Sequence, residues 1–449
     1  MQLKKTAYLA LATILLIAAG CRSDQDQPQG QVVTSLKDVP AVRLNYRYEP
    51  DVPAPSDNRR AANEERNAAV QNDFDQNRPQ ELLSKTVLSP DGKRVLAIYN
   101  KAGDLQAEFR LDMYSPDGRL LRKITADSLA VRFPDTILWS PDSSTVAFVA
   151  AARGASQEPV DTPATESEIR GNTNSNAAPA PSPDTNSNTN TEAPGAAPEI
   201  EATPETSAPT PVPPASVLAF RTEQIYTCNA DGDGIRPITQ NEGLMYFYYV
   251  WSPDSSMLAA LAATGREWKY LEYQADQKGE ILVPVGRPRI VEKTGRERRL
   301  DDALTAVQPV WSPDSAKVAC AFDKQVRIYD AVGNSPTQAA VPLRNNLLLS
   351  SQAYDIEQQS KLNAANSPVD ANTNMNTQAA NTGTAPATLP DEKLLVSFNP
   401  IISLIWPSEE HLYLQTAFLK RMKNEVDSVM SFPRWHRLIL TPQPSAMNK

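Results

Sequence analysis

Trp311-Ser312-Pro313-Asp314-Ser315, followed by Ala316-Lys317-Val318-Ala319-Cys320-Ala321-Phe322, is the stretch on which the reading of this chain turns. Proline presets φ for a tight turn, aspartate accepts backbone hydrogen bonds within it, and the run that follows has β-type composition. The same sentence is written three more times: Leu88-Ser89-Pro90-Asp91-Gly92, Trp139-Ser140-Pro141-Asp142-Ser143 and Trp251-Ser252-Pro253-Asp254-Ser255. In every copy the seventh residue after the Leu or Trp is apolar: Val95, Val146, Leu258 and Val318. Each unit of such a repeat buries its apolar faces only against its neighbours, so the repeat decides the architecture.

A second hairpin follows in each unit. Tyr114-Ser115-Pro116-Asp117-Gly118 leads to Arg122-Lys123-Ile124-Thr125, and Ile225-Tyr226-Thr227-Cys228-Asn229-Ala230-Asp231-Gly232 leads to Arg236-Pro237-Ile238-Thr239. Ile328-Tyr329-Asp330-Ala331-Val332-Gly333 leads to Ala340-Val341-Pro342-Leu343. Two hairpins make four strands, which is one propeller blade. Leu88 to Trp139 is 51 residues and Trp251 to Trp311 is 60. Trp139 to Trp251 is 112, or 49 once the 63 residues 152–214 are set aside. Periods of about 40–50 residues with several short strands fit blades rather than helical repeats.

Those 63 residues are Pro, Ala, Thr, Asn and Ser without an aromatic, and they carry nine acidic residues against Arg153 and Arg170. Residues 363–390 have a similar composition. Both read as disordered insertions, because they lack the apolar surface to offset the entropy of ordering. Residues 22–40 and 50–80 are polar, with a short surface helix expected over 63–72. Between them, residues 41–48 alternate as a strand that could close the ring by pairing with C-terminal strands.

Trp-Ser-Pro-Asp followed by a strand, then Ile-Tyr-x-x-Asn-Ala-Asp-Gly and Arg-x-Ile-Thr, resembles the WD40-like Ser-Pro-Asp repeat of TolB-type β-propellers. The resemblance covers residues 82–345 outside the insertion, and Ile405-Trp406-Pro407-Ser408-Glu409-Glu410 looks like a further, rewritten copy. It implies an all-β propeller of four-stranded blades over residues 82–449, six blades favoured and five to seven allowed. TolB itself adds an N-terminal α/β domain, which residues 22–80 are too short and polar to supply, so the resemblance is one of fold. The family also implies protein partners at the cell envelope.

The first residues set the expected address. Lys4 and Lys5 precede an apolar run, Ala7–Ala19, too short to span a bilayer comfortably. Ala18-Ala19-Gly20-Cys21 resembles the end of a bacterial lipoprotein signal, with residues 1–20 removed, Cys21 lipidated and residues 21–81 as a tether. Arg22 at the next position favours the outer membrane, facing the periplasm. Losing Lys4 and Lys5 would take the formal charge from −9 to −11, which makes the chain a poor binder of nucleic acid.

Motifs for catalysis are absent. There is no Gly-x-Ser-x-Gly elbow, phosphate loop or dinucleotide fingerprint, and the only histidines are His411 and His436. No cofactor and no metal are expected. Asp91, Asp142, Asp254 and Asp314 recur at turns and read as structural, and Trp139, Trp251 and Trp311 as packing between blades. Asn229–Gly234 opens like a calcium loop, yet its twelfth position is Gln240, so a polar hairpin turn is the simpler reading. Arg287, Arg289, Lys293, Arg296, Arg298 and Arg299 form the densest basic stretch, read as a long loop and a candidate contact for an acidic partner. The expected protein is therefore a non-catalytic, membrane-tethered propeller that binds an envelope protein. The alternative is a glycan- or peptide-binding propeller with hydrolase or lyase activity in its funnel. That alternative requires carboxylates beside an aromatic or Arg, one of them with a displaced pKa.

Overall fold

The Ser-Pro-Asp turns at Ser89, Ser140, Ser252 and Ser312 each join the first and second strands of an antiparallel sheet, and the one at Ser115 joins the third and fourth strands of the first sheet. A computed structural model describes residues 35–56, 66–153, 222–333, 335–366 and 389–443. Cys21 and most of the two low-complexity segments lie outside the described residues.

After β1 (Leu44–Glu49), the first sheet is β2 (Glu81–Leu88), β3 (Val95–Lys101), β4 (Arg110–Tyr114) and β5 (Leu120–Lys123). The second has an interrupted inner strand, β6 (Leu129–Arg132) and β7 (Leu138–Trp139), then β8 (Thr145–Ala152), β9 (Gln224–Asn229) and β10 (Arg236–Pro237). The third is β11 (Leu244–Trp251), β12 (Met257–Thr264), β13 (Arg287–Glu292) and β14 (Glu297–Arg299). The fourth is β15 (Val310–Trp311), β16 (Lys317–Phe322), β17 (Gln325–Asp330) and β18 (Gln338–Pro342). The fifth is β19 (Ile401–Ser408), β20 (His411–Lys420) and β21 (Val429–Pro442), with β1 as its outer strand, Leu44 opposite Pro442 and Glu49 opposite Arg437. The described residues thus hold five blades, one fewer than the favoured six.

Consecutive sheets stack face to face, with separate apolar clusters between the first and second, second and third, third and fourth, and fourth and fifth. The second strands of the second, third and fourth sheets lie between two neighbours, so both their faces are buried. This explains why they are apolar without alternation and rich in alanine, as in Ala259, Ala260, Ala262 and Ala263 of β12: small side chains let the sheets approach.

The turns also join the blades. The hydroxyls of Ser143, Ser255 and Ser315, each the last residue of its motif, accept from the backbone N–H of Asp91, Asp142 and Asp254 in the preceding sheet, at 3.0, 3.1 and 3.0 Å. All three serines sit at positive φ (61°, 63° and 63°). A left-handed backbone disfavours a residue with a Cβ, and the inter-blade hydrogen bond offsets that cost.

Three helices depart from the sequence reading. Helix α1 (Ala68–Asn77) begins five residues later than the expected 63–72, and one face of it is anchored: Val70 and Phe74 pack on the first sheet with Leu83, Val95, Tyr99 and Tyr114. Helix α2 (Gly265–Gln277) is inserted between β12 and β13. Helix α3 (Arg344–Asn366) connects the fourth sheet to the fifth and enters the segment assigned to the second insertion. The basic stretch is not a long loop but the β13–β14 hairpin, because Ile290 and Val291 are buried between sheets and pull it into the ladder.

Candidate binding face

In a four-stranded meander, first-to-second and third-to-fourth turns share one end, and second-to-third connections share the other with the crossings between sheets. Since the Ser-Pro-Asp turns are hydrogen-bonded in series, one end of the molecule is a turn face. The opposite end collects α2, α3 and the β20–β21 hairpin. Among the described residues, the short turns face one way and these three connections face the other.

On this second face, α2 acts as a crossbar. At its start Thr264 and Glu267 form a reciprocal capping box, and Glu267 receives both arms of Arg287 at 2.9 and 2.8 Å. Trp268 packs on Phe133 of the second sheet and Phe247 of the third, with ring centroids 5.7 and 5.4 Å apart. Beyond the helix, Ile281 N–H donates to Arg421 O and Lys423 N–H to Gly279 O, while Lys423 Nζ reaches Asp276 at 2.7 Å. One helix therefore ties the second, third and fifth blades. Exposed apolar residues gather around this contact: Ile281 and Val283 after α2, and Phe418, Leu419, Val426, Val429, Met430 and Phe432 on the hairpin. Such a concentration exceeds the scatter of single apolar residues on an ordinary surface.

Beside α2 lies a charge network. Arg110 holds Asp104 at 2.7 and 3.0 Å and also pairs with Asp127, and Arg153 bridges Asp104 and Glu108 at 3.0 and 3.2 Å. Arg132 reaches Glu108 at 3.4 Å and Ala107 O at 3.2 Å. The next residue, Phe133, has φ 49°, a strained setting for a bulky side chain, and it breaks the inner strand into β6 and β7. Glu223, just before β9, is 8% exposed, and its Oε2 has no hydrogen-bond partner among the described residues. Burial pushes its carboxyl above the usual range, against the charges of Arg132 and Lys269.

The residues singled out from sequence lie mostly on the turn face. In the first turn Ser89 donates to Asp91, which accepts Lys93 N–H, and the pattern repeats at Asp142, Asp254 and Asp314. Burial works against ionisation of Asp142, but hydrogen bonds from Ser140 and Ser144 bring its carboxyl down to about 2. Trp139 and Trp311 donate to Val87 O and Val250 O of the preceding blades, at 3.3 and 3.1 Å. The buried Trp251 Nε1 has no partner among the described residues, and Lys293 lies 5.2 Å from its ring centroid.

Of the basic stretch, Arg287 pairs with Glu267, Arg289 with Glu297 and Arg299 with Asp302, while Arg298 donates to Asp330 O and Ala331 O. Arg296, at 77% side-chain exposure, is the member most available to a partner. In the calcium-like loop Asn229 Oδ1 accepts from Asp231 and Asp233 N–H, and the two carboxylates pair with Arg94 and Arg122 of the first blade. Among the described residues, no group of three or more His, Cys, Asp or Glu side chains is placed to hold a metal ion, and no helix is long and apolar enough to cross a membrane.

Sequence reasoning missed Arg132, Glu223 and Trp268, and it put Arg153 in the insertion. Thr264-x-x-Glu267 was a legible helix start. Nothing local marked Glu223, whose burial depends on a neighbouring blade.

No protein-family model matches the chain, and no curated protein does. Among solved structures it is similar to oligogalacturonate lyase from Vibrio parahaemolyticus, with 12% identity over 80% of this chain and 66% of that one, at a TM-score of 0.34. A protein assigned as TolB from Agrobacterium tumefaciens shows 13% identity over 59% and 69%, at a TM-score of 0.25. A prolyl endopeptidase shows 9% over 87% and 42%, at 0.33. The chain spans less than two thirds of the first and third of these structures.

Proposed function

We propose that this chain is a non-catalytic envelope lipoprotein, tethered through Cys21, whose propeller binds a protein partner with the face that carries α2 and the β20–β21 hairpin. The observation that supports this most is the run of exposed apolar side chains from Phe418 to Phe432, braced from behind by the α2 contact. A braced surface binds at low entropic cost, because little ordering is left to do on association. The charge network of the first and second blades is largely self-neutralised, as expected of scaffold rather than of a substrate clamp.

The test is site-specific photocrosslinking in intact cells, with the probe at Leu419 or Met430 and, as control, at Thr294 on the turn face. One discrete envelope protein should be captured from the hairpin and not from Thr294, and Cys21→Ala should abolish the capture. Equal labelling from both faces, or none, would sink the reading.

Glu223 is the one observation that favours the alternative, a funnel with acid–base chemistry, since a carboxyl with raised pKa sits within reach of the charges of Arg132 and Lys269. If that reading is right, a screen of oligosaccharide and peptide substrates will find turnover that Glu223→Gln removes. Absence of turnover in the unaltered protein would leave the binding role standing.

A further inference from the structure

The fifth blade is completed by a strand from the other end of the chain, and its side-chain ties converge on one buried polar cluster. Tyr48 of β1 points its hydroxyl between His436 Nδ1, at 2.8 Å, and Ser350 Oγ of α3, at 3.2 Å. The Tyr48 and His436 rings stack with centroids 5.5 Å apart. His436 Nε2 meets Thr416 Oγ1 of β20 at 3.0 Å. Two residues past β1 the backbone turns through a left-handed conformation at Asp51 (φ 51°), which delivers its carboxylate to Arg434 in a two-pronged pair at 2.7 and 2.8 Å. Arg434 also donates to Ser351 of α3 and to Ser397, and it lies over the Tyr354 ring. Hence β1, β20, β21 and α3 meet through His436 and Arg434, side by side on one face of the sheet.

We propose that His436, Tyr48 and Asp51 form a proton-operated latch on the closing strand: a proton taken up at His436 frees β1 and α3 from the fifth sheet while the other sheets stay assembled. The charge balance is the reason. His436 is fully buried, and an imidazolium there stands beside Arg434 with one carboxylate, Asp51, already occupied by that arginine. Of the other charged groups nearby, Glu49 and Arg437 pair with each other on the opposite face, and Asp355 of α3 accepts from Val396 and Ser397 N–H through Oδ2, while its buried Oδ1 has no partner among the described residues. Protonation also makes both ring nitrogens donors, so whichever of Tyr48 and Thr416 donates to the neutral ring loses its acceptor. Burial first, and Arg434 second, lower the imidazole from 6.5 to about 4, against the pull of Asp51. A base whose folded pKa lies below its unfolded value stabilises the fold above pH 6.5 and loses that contribution as pH falls towards 4. The limit set by those two values is about a 300-fold rise in strand opening.

Hydrogen exchange of the full chain, corrected for intrinsic rates, tests this between pH 7 and pH 3.5. Opening of residues 44–49 should rise by about two orders of magnitude relative to β8, and His436→Gln should remove most of that rise. If residues 44–49 and β8 open in step, or the variant behaves like the unaltered protein, the latch does not exist. Should His436→Gln fail to fold, imidazole titration by NMR decides instead: with only His411 and His436 to assign, a His436 pKa near 4 supports the latch and a value at or above 6 overturns it.

Discussion

One serine hydroxyl hydrogen-bonds each of the second, third and fourth blades to the turn of the blade before it. Ser255 is 2% exposed, sits at φ 63° and accepts from Asp142 N–H. Ser255→Ala keeps the strained backbone and orphans that N–H, so thermal unfolding should register a loss of about 1–2 kcal/mol. Ser255→Gly loses the same bond but relieves the strain, and should cost clearly less than alanine. If alanine and glycine are equally tolerated, the hydroxyl is not the clasp. Glu223 makes the opposite kind of prediction. Its folded pKa is raised, so the folded state prefers the proton, and stability falls as pH rises from the unfolded value near 4.5 through the folded one. Glu223→Gln should therefore stabilise by about 1–2 kcal/mol at pH 8, with the gain shrinking towards pH 4. A pH-independent difference between the two proteins in chemical denaturation would show that Glu223 is not buried in this way.

Among the elements, α1 is seated by close approach rather than by propensity. A Cβ built on Gly118, in the last turn of the first blade, would lie 2.6 Å from Ala69 O and 2.8 Å from Ala69 C, and Gly118 has φ 87°. Backbone cannot yield as a flexible side chain can. Gly118→Ala should push α1 off the first sheet, expose Val70 and Phe74, and cost roughly 2–3 kcal/mol, with exchange accelerated in 68–77 before any change in β12. Unchanged protection in 68–77 would mean that the helix is held by other contacts. The helix α2 illustrates a different balance. Its capping box is local and legible, but its position over Phe133 and Phe247 depends on two blades and on a hairpin about 150 residues downstream.

At the scale of the whole molecule, the amino-terminal segment is a strap rather than a bare tether. Leu36, Val39, Ala41 and Leu44 join the core between the fourth and fifth sheets. Ala41 N–H donates to both carboxylate oxygens of Asp330, which is also paired with the buried Lys317 at 2.9 Å. Removing residues 22–49 deletes that strap and the outer strand of the fifth sheet together. It should leave Lys317 and Asp330 partly uncovered and lower the unfolding midpoint well below that of Cys21→Ala. A truncated protein as stable as the parent would contradict a closing role for β1.

The sequence by itself determined the repeat and its blades, because a Ser-Pro-Asp turn is stabilised by hydrogen bonds among residues at most five apart, as Ser89, Asp91, Lys93 and Arg94 show. The same locality made the four aspartates and three tryptophans readable as parts of the framework. It also misread the β13–β14 hairpin as a loop, since the forces that draw Ile290 and Val291 inward come from neighbouring sheets. Only the tertiary structure decided which connections share a face, that Arg153 belongs to a charge network, that Glu223 is buried, and that Tyr48 meets His436 across 388 positions. Those features depend on contacts between distant segments, and no pattern along the chain encodes the burial that such contacts create.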